Sequence, residues 1–370
     1  MRTVDVHFLT SILPILPFPE LCGSCNFARK SIAMATADTL IWTGATGFRR
    51  PMKNRIKRLQ FLPVNLFAAV MGIAGLSLAW RTAGNIFGSP AIISTLIGGV
   101  AVGVFILLSI AYLLKLAFFH KKVVEEFRHP ITGNFFGTIP IAILLLSAVV
   151  RPYYHNTALA LWITGAVLTN TLAYIIVTRL MKNKQDLLHA TPVWLIPGVG
   201  TLDVAVTSSG LPYTWVNEVN LLSFAVGAVL ALVFFVLIIS RLMHHDPMPE
   251  RMTPSLIILI APFAVGFLAY TNLAGEVNMF AGILFYFGLF LFFVLFFKVF
   301  RRNLPFMLTW WAVGFPIAAV SNAALKYAAY ADKWYITLLA GIMLAVLSVI
   351  IAYIFIRSIF LLVRGRLLEA

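Results

Sequence analysis

Thr309–Tyr327, TWWAVGFPIAAVSNAALKY, carries no charged side chain before Lys326. At about 1.5 Å per residue, a helix of this length crosses most of a bilayer core, so the stretch is expected to span. Two features interrupt it at mid-depth. Pro316 has no amide hydrogen for the carbonyl of Ala312, and Gly314 lies just before it, so the helix is expected to kink or open there. In lipid a freed carbonyl must meet neighbouring helices or a water-filled cavity, so such a kink points inward. Phe315 sits on the break. A phenyl ring beside a proline in a membrane helix is ordinarily a packing residue, and this stretch alone does not single it out as an obstruction.

The rest of the chain agrees that the molecule lives in a membrane. Of 370 residues, 61% are hydrophobic and only 11% charged, against roughly 25% charged in a soluble protein. The formal net charge of +15 does not point to nucleic acid, because the basic residues are dispersed between apolar stretches and read as topology signals. Two cysteines, Cys22 and Cys25 in CGSC, exclude a disulfide scaffold. A single CxxC without a second pair or a surrounding βαβ pattern is not read as a redox or metal site.

Residues 1–50 differ in character from the rest of the chain: Pro14, Pro17 and Pro19 break short apolar patches, and a Ser/Thr/Ala/Gly-rich run comes next. They are expected to form a disordered N-terminal extension, or to lie upstream of a true start at Met52, with the functional domain at 51–366. Ten apolar spans are expected after them, near 61–80, 91–119, 134–151, 157–180, 191–210, 218–243, 253–272, 277–300, 306–327 and 335–363. The basic cluster Arg49 to Arg58 puts the N-terminal side in the cytoplasm. With ten spans that side also receives Lys115, Lys121, Lys122, Arg128, Arg179, Arg241, Arg251, Lys298 and Arg357, whereas the outer side receives Arg81, Arg151, Lys326 and Lys333. This asymmetry predicts a multi-pass cell-membrane protein with both termini cytoplasmic.

Prolines add a second pattern. Pro63, Pro140, Pro192, Pro197, Pro262 and Pro316 fall in the odd-numbered spans, and the even ones have none. If proline breaks face cavities, the odd helices form an inner ring and the even helices an outer one. The eighth span, FAGILFYFGLFLFFVLFFKVF (280–300), is apolar all round, as a lipid-facing helix should be. The chain therefore reads as an all-α polytopic membrane protein of five helical hairpins around a central axis.

The run WWA-x-x-FP-x-x-A beginning at Trp310, with Lys326 and Tyr327 closing its helix, resembles the ninth helix of the tellurite-resistance/dicarboxylate transporter family. That family includes bacterial tellurite-resistance permeases, malate and sulfite transporters and the slow anion channels of plant guard cells. FAAVMGIAGLSLAW (67–80), RHPITGNFFGTIP (128–140), TPVWLIPGVG (191–200) and PSLIILIAPFAVGFLAY (254–270) are similar to the family in the same order, so the resemblance covers residues 61–363. It implies a quasi-fivefold bundle with a pore in each protomer, assembled as a homotrimer and passing small anions. It also implies that a Phe, here Phe315, plugs the pore. A slow-type anion channel is the first expectation; a proton-coupled carrier of C4-dicarboxylates such as malate, sulfite or tellurite is the alternative. The long tails of the plant channels are not evident, which favours a bacterial-type member. One departure is that the first span has Pro63 near its cytoplasmic mouth and leaves mid-helix to Gly72 and Gly75.

The pore-lining helices, marked by Gly72, Pro140, Pro197, Pro262, Gly314 and Pro316, bring few charges to mid-membrane. An anion would be held weakly, by helix dipoles and a positive cytoplasmic vestibule, and weak binding suits conduction. Asp203, well inside the fifth span, is the exception. An intramembrane acid is a functional suspect; it either pairs with Lys326 or Arg81 or couples transport to protons. Glu218 and Glu276 are expected at solvated helix ends, and His120, His129, His189, His244 and His245 in or near cytoplasmic loops. With no HExxH, GxSxG or Walker loop, no catalytic residue, metal or cofactor is assigned and the chain is not read as an enzyme.

Overall fold

The computed structural model describes residues 58–182, 186–300, 304 and 306–365. The CGSC pair, the 1–50 extension, the basic residues Arg49 to Lys57, and Arg301, Arg302 and Arg366 lie outside the described residues. Among the described residues every regular element is helical. The α-helices are α1 (Phe67–Phe87), α2 (Ala91–Phe118), α3 (His120–Arg128), α4 (Thr138–Val150), α5 (His155–Lys182), α6 (Leu195–Thr207), α7 (Thr214–His244), α8 (Ala261–Ala274), α9 (Met279–Val299), α10 (Trp311–Ala331) and α11 (Trp334–Val363).

Nine of the described helical segments are long and apolar enough to cross a membrane, and where the fifth of the ten expected spans falls lies a shorter apolar helix, Pro192–Thr207. The expected span of 191–210 ends early because Ser208, Ser209 and Gly210 form a turn, with Gly210 at φ +81°, a left-handed conformation that suits glycine.

Helices α1, α4, α6, α8 and α10 each begin as a 3-10 segment: Val64–Leu66, Thr132–Gly137, Pro192–Trp194, Glu250–Ile260 and Leu308–Trp310. Helices α2, α5, α7, α9 and α11 have no such lead-in. Pro140, Pro197 and Pro262 fall in the first turn of α4, α6 and α8, where the missing amide hydrogen would have had no α-helical partner. Pro316 alone sits deeper, and α10 continues through it without interruption.

Burial separates two classes of helix. In the spans containing α1, α4, α8 and α10, 78–89% of the core is buried, against 17–39% in α2, α5, α7, α9 and α11. Helix α6 is buried along almost its whole length. Helix α1 packs on α4, α4 on α6, α6 on α8, α8 on α10 and α10 back on α1, and each of these also packs on the long helix that follows it. Lipid offers little hydrophobic drive for association, so close approach by small residues carries more of the cohesion. Gly98 of α2 meets Ser77 and Val149, Gly165 of α5 meets Leu144, and Gly227 of α7 meets Thr201, Gly198 and Leu202. Gly72 and Gly314 face each other where α1 crosses α10, with Ile351 of α11 closing over both.

The short α3, unforeseen in the sequence, is held by a buried charge cluster. Lys115 Nζ donates to Glu126 Oε2 at 2.6 Å and to the Leu62 carbonyl at 2.7 Å, while the Val64 amide donates to Glu126 Oε1 at 2.8 Å. Both charges are thus paired and hydrogen-bonded, the condition for tolerating them inside.

Candidate functional site: two cavities on the bundle axis

Two cavities lie inside the ring of α1, α4, α6, α8 and α10, and all five helices or their 3-10 lead-ins line each. The first, about 20 Å³, is bounded by Ala68 and Met71, by Phe135, Thr138 and Ile141, by Ile196 and Val199, by Ile258 and Ala261, and by Ala312, Phe315 and Pro316. These residues come from the N-terminal halves of their segments, and almost all are apolar. The second, about 320 Å³, is lined by residues nearer the C-terminal ends, including Arg81, Arg151, Asp203, Asn272, Asn322 and Lys326. Hence the five helices run in the same sense, α6 among them. Phe315 is the one residue that lines both cavities. Its side chain is 7% exposed, between an apolar constriction and a polar chamber.

The helical repeat explains how one element supplies so much of the wall. Phe315, Ala318, Ala319, Asn322 and Lys326 all line the larger cavity, and spacings of three and four put them on one face of α10. Gly75, Leu78 and Thr82 do the same on α1. The polar groups at this end also stitch helices together. Arg81 Nη1 and Nη2 donate to the Ala148 and Val149 carbonyls at 2.7 Å each, satisfying last-turn acceptors of α4 that have no intrahelical donor. Lys326 Nζ donates to Asn272 Oδ1 at 2.5 Å, and Asn272 Nδ2 to the Ala205 and Val206 carbonyls at 3.1 and 2.9 Å. Asn322 Nδ2 reaches from α10 to the Gly75 carbonyl at 3.0 Å.

Charge in this chamber is predominantly positive. Arg81, Arg151 and Lys326 line it against one carboxylate, Asp203. Arg151 Nη1 is buried without a hydrogen-bond partner. Asp203 is 1% exposed and its Oδ2 has no partner either; no ion pair joins it to another described residue within 4.0 Å. The suspected residues Asp203 and Lys326 therefore share a cavity without a salt bridge between them.

The remaining sequence candidates divide. Pro316 lines the smaller cavity, whereas Gly72, Gly314, Pro140, Pro197 and Pro262 line neither and act in packing or at helix starts. Glu218 and Glu276 are exposed. Sequence reasoning counted Arg151 only as an outer charge and missed Asn272 and Asn322. Their positions on the cavity-facing stripes of α8 and α10 were the available signal. No three His, Cys, Asp or Glu side chains gather among the described residues into a cluster suited to a metal ion.

The chain is 27% identical to the S-type anion channel SLAH2 of Arabidopsis thaliana over 72% of its own length and 52% of the relative. It is 30% identical to the tellurite resistance protein TehA homolog of Haemophilus influenzae over 72% of this chain and 81% of that one. An uncharacterized transporter of Methanocaldococcus jannaschii is 24% identical over 70% and 83%. The chain spans about half the length of SLAH2 and of the S-type anion channel SLAH3 of the same plant. With the family model for voltage-dependent anion channels matching residues 62–359 across both cavities, the chain belongs to the voltage-dependent anion channel family.

Proposed function

We propose that this protein passes small anions across a cell membrane through the axis of its five inner helices, with the ring of Phe315 as the barrier. The observation that carries this reading is that Phe315 alone lines both axial cavities. Arg81, Arg151 and Lys326 draw anions into the larger chamber, and the apolar narrowing beyond it excludes ions by dewetting until the ring moves. Residues 51–366 form the conducting domain, arranged as ten spans in five hairpins of quasi-fivefold symmetry, with both termini cytoplasmic and three copies assembled side by side. No catalytic step is proposed.

The test is anion flux into liposomes holding the purified full chain, wild type beside Phe315→Ala. Flux in the variant is expected to rise by an order of magnitude or more; a folded variant with unchanged flux overturns the assignment.

One observation favours a second reading. Asp203 is buried, lacks a partner at Oδ2 and lines the same chamber, which suits a carboxyl group that takes up and releases a proton during transport. In that case the substrate is a C4-dicarboxylate, sulfite or tellurite moved together with protons. Uptake would follow an imposed pH gradient, and indifference to the gradient removes this reading.

A further inference from the structure

A third cavity lies away from the axis and shares no lining residue with the other two. About 220 Å³ in size, it is bounded by the loop after α3, the 3-10 segment before α4, the C-terminal part of α5, Trp194 and Phe234. Its polar side chains are Arg128, Arg179, His129 and Asn134, and no carboxylate lines it. Two guanidinium groups gathered on one small cavity repel each other, and nothing in its wall offsets their charge. Neither Arg128 nor Arg179 makes an ion pair with another described residue.

Arg179 and His129 are held in place. Arg179 Nη1 donates to the Phe127 carbonyl at 2.8 Å and its guanidinium lies 4.1 Å from the centre of the Phe127 ring, which fixes the plane and leaves further N–H groups free. His129 Nδ1 accepts from the Ile131 and Thr132 amides, both at 3.2 Å; the ring proton therefore sits on Nε2, and that nitrogen is a donor. Trp194 carries a buried Nε1–H with no acceptor. Gly133 lets the backbone come close: a Cβ there would meet the Phe127 carbonyl oxygen at 2.5 Å.

We infer that this cavity is a binding site for a phosphate-type oxyanion, separate from the conduction path. Paired guanidiniums match the geometry of a tetrahedral oxyanion and bind it through charge-assisted bonds. The ligand is either free inorganic phosphate or the phosphate of an anionic lipid, since both present the same oxyanion to the two guanidiniums. The site stands whichever conduction mechanism holds, and its test reads binding rather than flux.

Arg128 is exposed and holds no other element, so Arg128→Gln leaves the fold intact. Arg179→Gln, which also releases Phe127, is the second variant. Thermal melting of the full chain in neutral detergent is followed with rising inorganic phosphate at constant ionic strength. In parallel, native mass spectrometry counts retained lipid after reconstitution in phosphatidic acid or phosphatidylcholine nanodiscs. We expect a saturable rise in Tm with phosphate, or selective retention of phosphatidic acid, with affinity about tenfold weaker in Arg128→Gln. The first outcome identifies a free oxyanion and the second a headgroup. No effect from either ligand, or an effect that Arg128→Gln leaves unchanged, overturns the site.

Discussion

Phe315 and Asp203 show how two side chains on one axis carry opposite kinds of information. A packed phenylalanine loses about 3–5 kcal/mol of stability on truncation to alanine, because the void it leaves is bounded by atoms that cannot follow. Phe315 instead has a cavity on either side, so its truncation joins two existing spaces and should cost less than that. A small fall in melting temperature together with the flux increase is the signature of a barrier residue; a large fall without added flux is that of a core residue. Asp203 has no cation within salt-bridge distance among the described residues and no partner for Oδ2. Asp203→Asn keeps its volume and removes its charge, so in a passive channel we expect anion flux at least equal to wild type, since a carboxylate lining the chamber opposes anion entry. Under proton coupling the same substitution abolishes gradient-driven uptake. Liposome flux with and without a pH gradient separates the two. That Phe315 faces the axis was suggested by its place between Gly314 and Pro316, while its reading as a barrier came from the resemblance and not from the residues themselves. The unpaired state of Asp203 was not legible, because it depends on where α1 and α10 leave Arg81 and Lys326, and no local pattern encodes that distance.

At the scale of the helix, the inner and outer classes were readable from proline placement, but the role of proline was not. Proline breaks were expected to face the axis; Pro140, Pro197 and Pro262 mark the first α turn after a 3-10 lead-in, so the change of geometry falls inside the span. Local sequence says that a helix cannot continue backward through proline in α form, and it does not say whether the preceding residues stop or tighten into 3-10 geometry. Glycine placement on the outer helices is the complementary device. A Cβ on Gly227 would collide with Thr201 Oγ1 and lie 2.8 Å from both the Gly198 carbonyl oxygen and Leu202 Cγ. Backbone cannot give way as a side-chain tip can, so Gly227→Val should destabilise the α6–α7 contact by about 1–3 kcal/mol. A Cβ on Gly103 of α2 would meet nothing within 4 Å, so Gly103→Ala should be neutral or slightly stabilising through helix propensity. Thermal melting in one detergent compares the pair. Equal effects from both would mean that the α6–α7 contact is not the tight interface its geometry indicates.

For the whole molecule the open quantity is the path of the chain through the bilayer, and α6 decides it. Pro192–Thr207 is shorter than the other spans, yet its 3-10 turn and α-helix together rise roughly 25 Å, which approaches a hydrocarbon core of about 30 Å. Its two ends line the same pair of cavities, in the same order, as the ends of α1, α4, α8 and α10. A segment that entered and returned on one side would not reach both. Full crossing therefore assigns Tyr154 and Ser209 to one face of the membrane and His245 to the other. All three are exposed, and replacing Cys22 and Cys25 by serine removes both native thiols. In that background, Tyr154→Cys and Ser209→Cys should react with an impermeant maleimide added to intact cells, and His245→Cys only after permeabilisation. Labelling of Tyr154→Cys and His245→Cys from the outside alike would mean that α6 does not cross. The five inner helices would then run in parallel without all of them crossing the bilayer, and the proposed axial pathway past Phe315 would not lead from one face of the membrane to the other.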